Sequence, residues 1–270
     1  MAGGAELARV TAVLQVSGLG VELGGTRVFG EVTFAVGSGE VLGVLGPNGG
    51  GKTTLLRAAL GLIGVRSGEA RLGGRPVKTL SASARSALAA YLPQDRRVAW
   101  NLPAWRLAAL GLPHIAPVRA KRRALDALAE VGMSGLAERG VLDMSGGERA
   151  RVLLARLICA DSALVMADEP AAGLDPDAQF RVMDVLRGRA ERGAAVVVTL
   201  HDLTLAARSC DRVAVLASGR LVALGPPAQV LTQQVLGDAF GVDGELTPTR
   251  FGPVVAARSG FSDRPDPAVG

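Results

Sequence analysis

Cysteine is scarce in this 270-residue chain, and the two that occur, Cys159 and Cys210, lie far apart without metal-ligand spacing. A cysteine-bound metal centre is therefore excluded, and Cys159, on the apolar run LLARLIC, reads as a small core residue. Long hydrophobic runs are missing as well. AAVVVTL at 194–200 is among the longest, whereas crossing a bilayer takes about twenty apolar residues. The opening MAGGAELARV lacks a basic stretch followed by an apolar core, so no secretion signal is expected and the cytoplasm is the expected compartment. No internal repeat or long low-complexity tract occurs. Lysine is rare and arginine supplies most of the positive charge, giving a net +5 and a pI of about 10.0. Such a balance suits nucleic acid or an anionic membrane surface. The arginines are scattered, however, so a solvated surface is the preferred reading and no nucleic-acid partner is expected.

What the chain does have is apolar substance in short pieces: hydrophobic residues make up 49%, and the mean hydropathy is +0.30. AVLQV (12–16) and VTFAV (32–36) predict strands separated by the turn Gly24-Gly25, and VLGVLG (41–46) a short buried strand. RSGEARLGGRPV (66–77) has the alternation of short antiparallel strands. From about 95 to 145 the texture becomes Ala, Leu and Arg at helical spacing, which predicts a helical insert. ALVMA, AVVVTL, VAVL and RLVAL then return strand texture between helices. Strands alternating with helices imply a largely parallel sheet covered on both faces. The expected organisation is a flexible arm at 1–11, one α/β domain at 12–245, and a C-terminal extension at 246–270 that ends in disorder.

Gly46-Pro47-Asn48-Gly49-Gly50-Gly51-Lys52-Thr53-Thr54 fits G-x-x-x-x-G-K-[ST] between a predicted strand and a predicted helix. In such a loop, backbone N–H groups wrap a β-phosphate, the lysine reaches the β- and γ-phosphates, and the threonine at position 53 ligates Mg²⁺. Glycines are needed because a Cβ would block the wrapping. Asp168 and Glu169 end the predicted strand ALVMA, at the sheet edge where parallel α/β folds bind ligands. Adjacent strand-end carboxylates can divide labour, Asp168 holding Mg²⁺ through water and Glu169 polarising the attacking water. His201 ends the neighbouring strand, within expected reach of the γ-phosphate, whereas His114 in GLPHIAP has no such company and reads as structural. Gln94 lies where another strand meets the insert, so its amide could serve metal or water. Asp175 before Pro176 is a good helix N-cap.

Met144-Ser145-Gly146-Gly147-Glu148 precedes a run with helical spacing. Ser145 and Glu148 make the S-x-x-E capping pattern, which leaves the paired glycines unexplained. Helix N-termini attract anions, yet the phosphate loop lies far upstream. GPNGGGKTT, Gln94, MSGGE, LVMADEP, GLDP and His201, in that order, resemble the ATP-binding cassette (ABC) ATPases over about residues 12–240. The resemblance implies a P-loop NTPase core with a parallel sheet, a small antiparallel β subdomain and a helical insert, with ATP and Mg²⁺ as ligands. It also implies that two cassettes pack head to tail, so that the signature residues Ser145, Gly146, Gly147 and Glu148 meet the ATP on the partner's P-loop. The family signature usually begins with leucine, so Met144 is a mild departure. In that family Glu169, His201 and Gln94 would be catalytic, Thr53, Gln94 and Asp168 would hold the metal, and Asp175 would sit in the loop facing the partner. An aromatic that stacks on adenine is usual before the P-loop; the matching place here is Leu23, which predicts weaker or less base-selective binding.

Three kinds of function compete: an importer motor, a soluble ATPase acting on nucleic acid or ribosomes, and a non-transport assembly subunit. The interval between P-loop and signature is too short for a chromosome-type coiled coil, and one P-loop does not match translation-type cassettes. YLPQDRRVAWNLPAWRLAALGL, HDLTLAARSCDRVAVLASGRLVALGPPAQVLT and QQVLGDAFGV look like ATPase subunits of ferric siderophore, haem and cobalamin importers. Importers of other metals or oxyanions are the alternative, with a soluble non-transport ATPase behind them. The implied partners are a second cassette copy, separate transmembrane permease subunits and an extracytoplasmic substrate-binding protein, with the chain on the cytoplasmic face of the membrane.

Overall fold

The computed structural model describes residues 12–260. The expected arm and the last ten residues of the expected tail lie outside the described residues.

A six-stranded sheet organises the molecule. It comprises β3 (Val41–Leu45), β6 (Ala89–Leu92), β7 (Leu164–Asp168), β8 (Ala195–Thr199), β9 (Arg212–Ala217) and β10 (Arg220–Gly225). Their order is β10-β9-β3-β8-β7-β6, parallel from β9 to β6, with β10 antiparallel on β9. The alternation of strand side chains sorts these runs between two cores. Val196 and Val198 of β8 face one core, shared with the insert, while Ala195 and Val197 face the other. Burial on both faces is why β3, β7 and β8 read as unbroken apolar runs.

The second core is roofed by an antiparallel sheet of β1 (Ala12–Leu23), β2 (Thr26–Gly37), β4 (Ser67–Leu72) and β5 (Arg75–Pro76), in the order β2-β1-β4-β5. Strands β1 and β2 run well beyond the expected five-residue pieces because they pair with each other through to the Gly24-Gly25 turn. Beneath them lies α1 (Lys52–Ala59), and α2 (Ala82–Leu88) leads into β6. The insert packs α3 (Ala104–Ala109), α4 (Pro117–Glu130) and α5 (Gly146–Ile158) against one another. Arg189, on α6 (Pro176–Glu191), fastens the insert to the sheet layer, reaching Glu130 at 2.8 Å and Asp161 at 3.3 Å. Among the described residues no helix is long and apolar enough to cross a membrane.

The chain closes with α7 (Leu203–Ser209), α8 (Pro227–Val230), α9 (Gln233–Phe240) and a hairpin of β11 (Val242–Thr249) and β12 (Gly252–Ser259). The extension expected from residue 246 therefore begins inside a strand. Pro248 and Pro253 face each other in this ribbon. Proline suits a two-stranded ribbon, where both strands are edges, but it weakens the strand signal in the sequence. The hairpin is seated on α7: Val255 N–H donates to Thr204 Oγ1 at 3.0 Å and Arg208 Nε to the Pro253 carbonyl at 2.9 Å.

Candidate active site

Strand β3 runs directly into the glycine loop, and the loop closes against β9. Gly46 has φ 151, and a Cβ there would lie 2.1 Å from the Leu216 carbonyl oxygen. Gly51, the N-cap of α1, has φ 90 and passes close under Val28 and Phe29. A side chain at Gly46 would have to displace the Leu216 backbone, and one at Gly51 would be strained by its positive φ and press on the Val28 and Phe29 side chains. Lys52 opens α1, is 5% exposed, and donates from Nζ to the carbonyls of Gly46 at 2.8 Å and Pro47 at 3.1 Å. Burial lowers its pKa from the ordinary lysine value; the charges of Glu169 and Asp168 partly oppose that shift.

The carboxylate pair stands where expected, at the C-terminal end of β7. Asp168 is fully buried, and its Oδ1 accepts from the Thr199 hydroxyl at 2.7 Å. The same Thr199 oxygen accepts the Glu169 N–H at 2.7 Å. Glu169 sits in the left-handed region at φ 50, so its side chain leaves the strand direction and turns into the cleft. There Oε2 accepts from Gln94 Nε2 at 2.9 Å and Oε1 meets His201 Nε2 at 2.5 Å. Two side chains far apart in sequence, Gln94 and His201, thus converge on one carboxylate. The cleft they share with the glycine loop measures about 430 Å³ and is bordered by Asn48, Lys52, Thr53, Gln94, Glu169 and His201, with Gly49–Gly51, Thr54 and Val28 completing the wall.

Ser145 is the N-cap of α5. Its hydroxyl accepts from Glu148 N–H at 3.2 Å, and Glu148 Oε2 accepts from Ser145 N–H at 2.8 Å, a complete capping box. That backbone bond first, then the Ser145 hydroxyl, holds the Glu148 carboxyl below its ordinary pKa. Met144 is buried, a position that an unbranched thioether fills as readily as leucine. A Cβ on Gly146 or Gly147 would meet nothing within 4 Å. Asp175 caps α6 by accepting from Ala178 N–H at 2.9 Å, with Pro176 following as expected.

His114 lies away from this cluster, with Nε2 3.4 Å from the hydroxyls of Ser83 and Ser86. Leu23 is 50% exposed at the turn end of β1, and Val28 is the apolar residue that borders the cleft. Sequence reasoning missed Thr199, which joins Asp168 to Glu169. Its signal was a hydroxyl at the end of an otherwise apolar strand. Arg96 was also missed; it donates to the carbonyls of Glu169 and Ala172 and carried no signal within QDRR.

A glycine loop over a buried lysine, ending one strand of a parallel sheet beside the carboxylates of another, defines a P-loop NTPase fold. The family model described as ABC transporter matches residues 29–172. A cobalamin import ATP-binding protein of Halobacterium salinarum is 41% identical over 232 residues, 84% of this chain and 58% of the relative. A hemin import ATP-binding protein of Pseudomonas entomophila is 39% identical over 239 residues, 86% of this chain and 93% of the relative. Among solved structures, an ATP-binding subunit of an ABC transporter superposes with a TM-score of 0.73 at 26% identity, over 84% of this chain and 96% of that one. The chain belongs to the ABC transporter ATP-binding family, and it spans about 58% of the length of the halobacterial relative.

Proposed function

We propose that this chain is the ATP-hydrolysing, energy-coupling subunit of an importer for iron-siderophore, haem or cobalamin-type cargo. The observation that carries the ATPase reading is the Glu169 carboxylate held between Gln94 and His201 across the cleft from Lys52. The loop Gly46–Thr54 binds the phosphates of ATP, with Lys52 supplying positive charge to the β- and γ-phosphates. Glu169 accepts the proton of the attacking water as the water oxygen bonds to the γ-phosphorus and the bond from that phosphorus to the β–γ bridging oxygen breaks, releasing ADP and phosphate, while His201 and Gln94 fix the carboxylate and the water. The donor set suits Mg²⁺, a hard cation that takes oxygen ligands and keeps several waters. Among the described residues no group of three or more His, Cys, Asp or Glu forms a self-sufficient metal site. Thr53, Asp168 and the Gln94 amide oxygen would hold the ion together with phosphate oxygens. When bound there it neutralises charge on the β- and γ-phosphates.

Two copies pack head to tail in this reading, with Ser145, Gly146, Gly147 and Glu148 against the partner's ATP and Asp175 in the loop between the sites. The open space over Gly146 and Gly147 supports it, because their own chain gives no reason for glycine there. Closure of the pair is transmitted through Gln94 and the insert to separate permease subunits. An extracytoplasmic binding protein delivers cargo, and the chain works at the cytoplasmic membrane face. The import functions named for the two relatives support the cargo class.

Glu169→Gln retains ATP and stops turnover in this reading, trapping the closed pair. The test is to purify that variant from its own cells in mild detergent. A multi-span membrane protein at about one per chain supports the importer, and that protein's cargo decides between iron chelates or cobalamin and other metals or oxyanions. Recovery with ribosomes, nucleic acid or soluble proteins alone overturns it. Because Leu23 and Val28 offer no aromatic face, ATP and GTP should bind with comparable affinity; strong ATP preference in a competition titration contradicts this.

A further inference from the structure

The left-handed backbone of Glu169 is disfavoured for any residue with a Cβ and persists only where its surroundings fix it. Two groups do so. On one side the Glu169 N–H donates to Thr199 Oγ1 at 2.7 Å. On the other, the Arg96 guanidinium donates through one Nη to the Glu169 carbonyl and through the second to the Ala172 carbonyl at 3.3 Å. Its neighbours Asp95 and Arg97 are exposed and pair with each other, at 3.3 Å, while Arg96 turns inward and is half-buried. A rigid planar fork reaching two carbonyls of one turn is a geometry that arginine makes and an ammonium does not.

We propose that Arg96 is a positioning residue for hydrolysis, locking the 169–172 turn so that the Glu169 carboxylate is presented between Gln94 and His201. This rests on the reading of Glu169 as the acceptor of the water's proton. Gln94 and Arg96 lie two positions apart on the segment that enters the insert. That segment therefore holds Glu169 twice, by its carboxylate and by its backbone, and a shift of the insert's entry loosens both grips together. The fork also reaches the turn that leads to Asp175, so the same arginine joins the hydrolytic carboxylate to the loop that faces a partner copy.

The test compares Arg96→Met, Arg96→Lys and Glu169→Gln in the full chain. The measurements are ATP turnover, binding of a fluorescent ATP analogue with Mg²⁺, and thermal unfolding. Arg96→Met should lower kcat by about tenfold to a hundredfold. Its KM and its Kd for the analogue should stay within about twofold of the parent, with a single cooperative melt. Arg96→Lys should recover little of the lost kcat. Unchanged kcat in Arg96→Met overturns the proposal, as does a parallel loss of kcat, binding and melting temperature, which marks general destabilisation. Full rescue by Arg96→Lys removes the fork. Turnover retained in Glu169→Gln instead removes the underlying assignment of Glu169, a result separate from any behaviour of the Arg96 variants.

Discussion

Two glycine-rich stretches in this chain obey different demands. In the P-loop the demand is internal: a Cβ on Gly46 would stand 2.1 Å from the Leu216 carbonyl oxygen, and the backbone at Gly46, Gly49 and Gly51 lies at positive φ. In the signature, Gly146 and Gly147 are the first residues of α5, in ordinary helical backbone, with open space where a side chain would go. Glycine in a helix is a thermodynamic liability. A residue that costs its own fold stability and makes room for nothing within its own chain points to something outside the chain. The first loop can be understood from one molecule; in the proposed reading the second calls for two.

The largest effect should come from breaking that contrast directly. Gly46→Ala should lower stability by at least about 1–3 kcal/mol from backbone strain alone, and should abolish nucleotide binding through displacement of the loop. Gly147→Ala should do the reverse to stability, raising it by at most about 0.5–1 kcal/mol, since alanine replaces glycine in the first turn of a helix. Its nucleotide binding as a monomer should be unchanged, while turnover falls at least about tenfold because a partner's nucleotide no longer fits closely. Denaturant unfolding, analogue titration and turnover on both variants check this. A destabilised Gly147→Ala, or one with full turnover, removes the distinction.

A smaller effect separates the loops by pH. Lys52 has its pKa lowered by burial, so its charge, and with it nucleotide affinity, should be lost on the alkaline side at a lower pH than an ordinary lysine would allow. The unfolded chain binds the Lys52 proton more tightly, so between the two pKa values this residue's contribution to stability rises with pH while affinity falls. Glu148 has the same sign of dependence, in the acid range instead of the alkaline one. Its folded pKa is depressed below 4.5 by the Ser145 bonds, so its contribution is present above that value and is lost as pH falls through the folded pKa. Unfolding of the parent and Glu148→Gln should therefore differ at neutral pH and converge in acid. Nucleotide titration of the parent across alkaline pH supplies the other half.

Much of this was legible in the sequence, for reasons that differ by residue. The central strands declared themselves because burial on both faces leaves no polar interruption, and Lys52 because its motif constrains backbone and side chain together. The pair Ser145 and Glu148 was legible as a cap. What stayed hidden depended on contacts between distant elements: Thr199 holding both Asp168 and Glu169, Arg96 reaching the turn that follows β7, and the proline-bearing hairpin whose strands, among the described residues, pair only with each other. Periodicity reports which face of an element is buried. It does not report which hydroxyl meets which carboxylate.

The smallest effect is a reactivity, and it can localise damage to either loop. Both cysteines are buried, with thiol pKa pushed up by desolvation to about 11 for Cys159 and about 12 for Cys210. Thiolate is the reactive form, so at mildly alkaline pH neither should alkylate at an appreciable rate while the fold is closed. They sit at opposite ends of the comparison. Cys210 presses on β3 beneath the P-loop, its Sγ only 2.8 Å from where a Cβ on Gly43 would be, whereas Cys159 caps the far end of the signature helix α5. Gly46→Ala should speed alkylation of Cys210 more than of Cys159, and Gly147→Ala should speed neither. Mass spectrometry of the labelled peptides reads both sites in one experiment. Faster labelling of Cys159 in Gly147→Ala would mean that the signature glycines support their own helix and that no partner is needed to account for them.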